Sequence, residues 1–239
     1  MTNTHQSFKT QTKLALDNNT LCAAIGLYEK VKALAKRHNI SVADAFEEFN
    51  IEHEYVKTNQ KLKAKLKALL KFLKLSWNKE LRIVITPTVR SEIFDTRIVF
   101  TKIKPNMFFQ DFCVEHISFE KTQQDLIDEL TIDLLSPQKH QKFHDGHSYS
   151  KDEAPIEGNH NKNHDHDARI FAECVFSQTD LFTFDSDFKK RDFIYEVVKK
   201  FEHKHPEANG ISKYRIIMPK TDQNNHSNKF CQHEDDFSR

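Results

Sequence analysis

Four acidic residues stand where the chain passes from one element to the next. Asp17 follows the apolar run KLAL, and Glu92 lies in the turns after LRIVI and Thr86-Pro87-Thr88. Asp167 precedes a helical stripe, and Asp185 ends DLFTF. Singly, an acid at a strand end or in a first helical turn serves as turn former or cap and suits the helix dipole. Gathered from distant positions onto one edge, four carboxylates would repel one another or take up protons. A divalent cation relieves that conflict, and hard oxygen ligands suit Mg2+, which keeps several waters and binds phosphate oxygens as well.

Bringing these acids together requires a sheet whose strands end on a common edge. Lys13 to Leu16 reads as a strand, and Leu21, Ala24, Ile25 and Tyr28 then recur at helical spacing. Leu81 to Ile85 is a β-branched strand, and Pro87 opens the helix that carries Glu92. Ile170, Phe171, Cys174 and Val175 form a helix stripe after Asp167. Asp180 to Phe184 is a strand, Phe193 to Phe201 is amphipathic, and Tyr214 to Met218 is a last strand. Strands alternating with helices give an α/β fold with a mostly parallel sheet and right-handed crossovers. Ligands of such sheets bind beyond the carboxyl ends of the strands, where Asp17 is placed.

Two segments interrupt this alternation. From Ser41, a plausible N-cap, to Trp77 the pattern is helical, so residues 41–79 form a helical insertion; Leu62, Leu66, Leu69, Leu70 and Leu73 mark one face. Its other face is rich in lysine, including Lys61, Lys63, Lys67 and Lys71, and would neutralise phosphates if it lay beside a substrate groove. The alternative is a solvated helix face. Residues 136–164, with Pro137, Gly146, Pro155, Gly158 and many His, Asn and Asp, read as a long loop. Phe108 to Phe119 fits no pattern clearly, whereas Lys121 to Leu135 is helical. Residues 1–219 are expected to form the folded unit and 220–239 a polar, disordered tail.

Composition excludes several classes. The 239 residues carry a formal net charge of +1, so any nucleic-acid surface must be local. The four glycines build neither a G-x-G-x-x-G nor a Walker-type loop. Cys22, Cys113, Cys174 and Cys231 lie far apart and read as free thiols, and no run is long and apolar enough for a membrane span. The polar start lacks a signal-peptide core, so a cytoplasmic protein is expected.

The segments LALDNNTL, ITPTVRSEI, HDARIFAEC and LFTFDSDF resemble, in order, the motif blocks of the PIN-domain family of metal-dependent ribonucleases. The resemblance covers about half the chain. It implies a PIN-like three-layer α/β/α sandwich and phosphodiester hydrolysis, usually of RNA, with one or two Mg2+ or Mn2+ ions. It assigns Asp17, Glu92, Asp167, Asp185 and Asp187 as metal-binding and catalytic acids, with Asn19 and Thr183 orienting carboxylates or water. Asp165 competes with Asp167 for the third position. RNA is the expected partner, with structured or single-stranded DNA, a homodimer and a protein inhibitor or antitoxin left open. The helical insertion and the His- and Asn-rich loop depart from small members of that family.

Three rival readings come from the same residues. His140, His144, His147, His160, His164 and His166 suggest zinc, yet no regular Cys and His spacing accompanies them. His-Asp pairs at 144–145, 164–165 and 166–167 resemble those of HD-type phosphohydrolases, a nearly all-helical family in which LRIVI and YRIIM have no place. A non-catalytic PIN-like scaffold binding RNA or protein would be marked by neutralised acids, and the four blocks keep theirs.

Overall fold

The computed structural model describes residues 12–95, 105–135, 160–185 and 191–219. Its centre is a five-stranded sheet of β1 (Thr12–Leu16), β2 (Leu81–Ile85), β3 (Glu115–His116), β4 (Asp180–Phe182) and β5 (Ile216–Ile217). The spatial order is β3-β2-β1-β4-β5, and every neighbouring pair is parallel. Leu14, Ala15 and Leu16 are all buried, as are Ile83, Val84 and Ile85. Continuous apolar runs of this kind suit strands covered on both faces rather than one.

Helices flank the sheet: α1 (Asn18–His38), α2 (Val42–Glu48), α3 (Ile51–Glu54), α4 (Gln60–Trp77), α5 (Pro87–Asp95), α6 (Pro105–Asp111), α7 (Lys121–Leu135), α8 (His160–Phe176) and α9 (Arg191–Lys204). The arrangement is α/β and compatible with three layers. Tyr28, Phe46, Trp77, Phe108 and Phe112 join α1, α2, α4 and the end of α6 in one aromatic cluster, with the Tyr28 and Phe112 ring centroids 5.0 Å apart. On α4, Phe72 packs edge-on against Phe182 of β4 at 4.5 Å. The insertion is therefore part of the core. Another packed group is formed by α7, α8 and α9, through Ile127, Leu130, Phe171, Val175, Val198 and Phe201. Among the described residues, no helix is long and apolar enough to cross a membrane.

Two expectations change. The helical stretch from Ser41 to Trp77 is divided into three helices, each opened by its own cap. Ser41 Oγ accepts from the Asp44 amide at 3.0 Å, Asn50 Oδ1 from Glu52 at 2.9 Å, and Asn59 Oδ1 from Leu62 at 2.8 Å. Asparagine competes for backbone donors and so starts helices instead of continuing them. Conversely, α8 begins at His160, inside the expected loop, so Asp167 lies within the helix and not at its start. No Gly or Pro separates 160 from 176, and Asn, His and Asp cost only a few tenths of a kcal/mol each in a helix that packs against its neighbours. The rest of that loop, the tail 220–239 and Asp187 lie outside the described residues.

Candidate active site at the strand ends

From β1 the chain moves outward to β2 and β3, then returns to the other side of β1 to lay down β4 and β5. The strand order reverses between β1 and β4, and a crevice opens beyond the carboxyl ends of strands at such a switch point. Asp17 follows β1 directly and Asp185 follows β4 after Thr183 and Phe184.

Asp17 is 3% exposed and caps α1, its Oδ1 accepting the Thr20 amide at 2.6 Å. Its Oδ2 accepts the Thr183 hydroxyl. Thr183 Oγ1 in turn accepts the Asp185 amide at 2.9 Å, and Thr20 Oγ1 accepts the Phe184 amide at 3.0 Å. These bonds tie the two strand ends together and set the direction of both carboxylates' backbones. Burial pushes the Asp17 carboxyl above its ordinary pKa; bonds from Thr183 and Thr20 oppose this, and the charge of Asp185 adds to it.

Glu92, on α5, belongs to the same electrostatic group. Burial raises its pKa first, and the charges of Asp17 and Glu173 raise it further, against a lowering by His166. The Nδ1 of His166 stands 2.6 Å from Glu92 Oε1. Cys22, one turn along α1 from Asn18, is pushed up by burial and then by Asp17 and Glu92. Acids from three different connections thus act on one another electrostatically: Asp185 on Asp17, and Asp17 on Glu92. Asp167 is half-buried on α8 next to His166. The side chain of Asp165 lies outside the described set.

Asn19, expected to orient a carboxylate, is exposed on the first turn of α1, and the orienting bonds come from Thr20 instead. In an N-capped helix the third residue after the cap donates to the capping side chain, so DNNT carried this signal. Glu173 was not distinguishable in the α8 stripe. It is 1% exposed and accepts the Thr88 amide at 3.1 Å and the Thr88 hydroxyl at 2.8 Å.

The lysines of α4 separate into two sets. Lys63 and Lys67 pair with Glu52 at 2.7 and 2.8 Å, and Lys74 with Glu47 at 3.0 Å. Lys65 turns the other way and donates to the Phe184 carbonyl at 2.5 Å, with its ammonium 5.4 Å from the Phe184 ring centre. Lys61, one turn earlier, is exposed, as is Lys71. The amino-terminal end of α4 therefore lies beside the carboxyl end of β4.

The donors present are carboxylate oxygens, a set that suits a hard divalent cation. Among the described residues, no three His, Cys, Asp or Glu side chains stand close enough to enclose a metal ion. A cation here would keep waters as part of its shell, as Mg2+ commonly does. A cavity of about 280 Å³ lined by Gln123, Gln178 and Tyr214 lies at the other edge of the sheet, ahead of β4 and β5. Comparisons with protein-family models, with curated proteins and with solved structures gave no match.

Proposed function

We propose that this chain is a metal-dependent nuclease of PIN-like type, hydrolysing phosphodiester bonds, with RNA as the expected substrate. The observation that carries this reading is the joining of Asp17 to Asp185 through Thr183 at the switch point of the sheet, with Glu92 electrostatically coupled to Asp17. An N-cap alone needs neither a second acid tied to it through a buried threonine nor a third that its charge reaches. Keeping such a group together costs stability unless something cationic shares it.

In this reading Asp17 and Asp185 would hold Mg2+ or Mn2+, Glu92 would reach it through water, and Asp167 and Asp187 would complete the acid set. A metal ion held by these acids would supply polarisation of a phosphate and a lowered pKa for a bound water. Thr183 and Thr20 fix the Asp17 carboxylate so that its direction is set before substrate arrives. Lys65 and Lys61 supply positive charge on the α4 side, where backbone phosphates would pass. Lys63 and Lys67 are engaged by Glu52, so the substrate side of the helix is the Lys61–Lys65 side.

The test is cleavage of a panel of single-stranded and structured RNA and DNA by purified protein with Mg2+, with Mn2+ and with EDTA. Metal-dependent cleavage lost in Asp185→Asn with the fold intact is the expected result. Equal cleavage by the wild type and that variant would sink the reading.

A further inference from the structure

Helix α8 grips α5 at two points. On α5, Thr88 and Glu92 lie one turn apart and so share a face; on α8, His166 and Glu173 lie two turns apart and share another. At one end His166 Nδ1 meets Glu92 Oε1 at 2.6 Å. At the other, both oxygens of Glu173 are taken by Thr88, one by its amide and one by its hydroxyl. Arg169 brings its Nε to 3.5 Å from Glu173 Oε1, while its guanidinium also bonds Asp128 of α7 at 2.9 Å.

We infer that Glu173 is a positioning residue for Glu92: by closing the first turn of α5 from the neighbouring helix, it fixes the rotation of the helix that carries Glu92. The inference rests on the nuclease reading for its functional meaning. A carboxylate buried to this degree is a costly way to fill space, and an apolar side chain of similar volume would pack without that cost. What the carboxylate adds is direction. Two charge-assisted bonds to a single residue at a helix start are satisfied in one register and one rotation only, whereas apolar contacts between helices tolerate sliding. Thr86, the residue before α5, reaches the Val89 amide only at 3.5 Å, so the local cap is weak and the tertiary one carries the first turn. The α8 residues that hold α5 then set where the Glu92 carboxylate stands relative to Asp17.

The test uses Glu173→Ala, Glu173→Gln and Thr88→Val in the full chain. It reads steady-state cleavage in Mn2+, Mn2+ affinity by electron paramagnetic resonance, and the imidazole nitrogen signals of His166 in the metal-free protein. Glu173→Ala should lower kcat and Mn2+ affinity roughly 10–100-fold, the range for partners that orient ligands, with KM little changed. It should also shift the His166 signals as the Glu92 contact is lost. Glu173→Gln, which can still accept the Thr88 amide, should recover most of each. Thr88→Val, which removes one bond and leaves the volume, keeps the test open should the alanine variant fail to fold, and should shift the same readouts in part. A folded Glu173→Ala protein with wild-type kcat and unmoved His166 signals would overturn the inference and leave Glu173 a helix cap alone. If the wild type neither binds Mn2+ nor cleaves, the nuclease reading falls. The His166 signals of the variants then decide the positioning role: shifted, it stands; unmoved, it is overturned.

Discussion

The Thr183 hydroxyl donates to Oδ2 of Asp17, across 166 positions of chain, while its own oxygen accepts the amide of Asp185. One side chain thereby couples the ends of the two strands between which the sheet reverses its order. Thr183 sits with no exposure, so neither bond is shared with bulk water.

This arrangement separates the capping role of Asp17 from its proposed role in catalysis. Asparagine caps helices about as well as aspartate, and the neutral amide escapes the penalty that burial places on the charged carboxylate. Asp17→Asn should therefore melt within a few degrees of wild type or above it, while losing metal-dependent cleavage. Asp17→Ala, which also removes the cap, should cost about 1 kcal/mol. Thermal unfolding beside a cleavage assay checks both, and retained cleavage in the Asn variant would leave Asp17 a cap only.

On α4, removing charge should discriminate the two lysine sets. Each of Lys61→Gln and Lys65→Gln should reduce the slope of log K against log salt for single-stranded RNA by about 0.7. Lys63→Gln should leave that slope unchanged, since Lys63 is 6% exposed and faces Glu52. Fluorescence anisotropy over a salt series, in EDTA to prevent cleavage, gives the measurement. An equal effect at Lys63 would mean that the Glu52 pairing is broken in solution.

Glu52 provides a test by acid. Its bonds to Lys63 and Lys67 hold its pKa at about 2, against an ordinary value of 4.5. A depressed folded-state pKa means that the stabilisation is complete above the unfolded value and disappears as pH falls through the folded one. Wild type should accordingly lose stability between about pH 5 and pH 2 more steeply than Glu52→Gln. Denaturant midpoints measured across that range should converge toward low pH. Parallel curves would show that the pair contributes nothing.

The contact of Phe72 with Phe182 makes α4 a structural member of the sheet packing. Phe72→Ala should cost about 3–5 kcal/mol, the range for truncating a buried phenylalanine. A loss below about 1 kcal/mol, the level of a surface change, would return the insertion to the status of an appendage.

Much of this was legible in the order of residues. Asp17 and Asp185 each follow a short apolar run, and a strand of a covered parallel sheet is recognisable from that run alone. Ser41 was readable as a cap and opens α2, whereas Asn59, which caps α4, lay inside what the periodicity gave as one helical stretch. What could not be read is which polar groups meet. Glu173 lies in an apolar stripe, and its partner Thr88 is 85 positions away. Glu92 and His166 are 74 apart. No local spacing encodes a bond of that kind.

The sequence by itself determined the alternation of strands and helices and the placing of acids at the ends of β1 and β4. Both follow from hydrophobic periodicity and from backbone groups that must be bonded locally. Only the tertiary structure decided that β1 and β4 are neighbours, that Thr183 joins Asp17 to the end of β4, and that Lys65 faces the strand ends while Lys63 does not. Those outcomes depend on how helices and strands pack against one another. Packing is fixed by the whole set of buried surfaces and long-range bonds, not by neighbours along the chain.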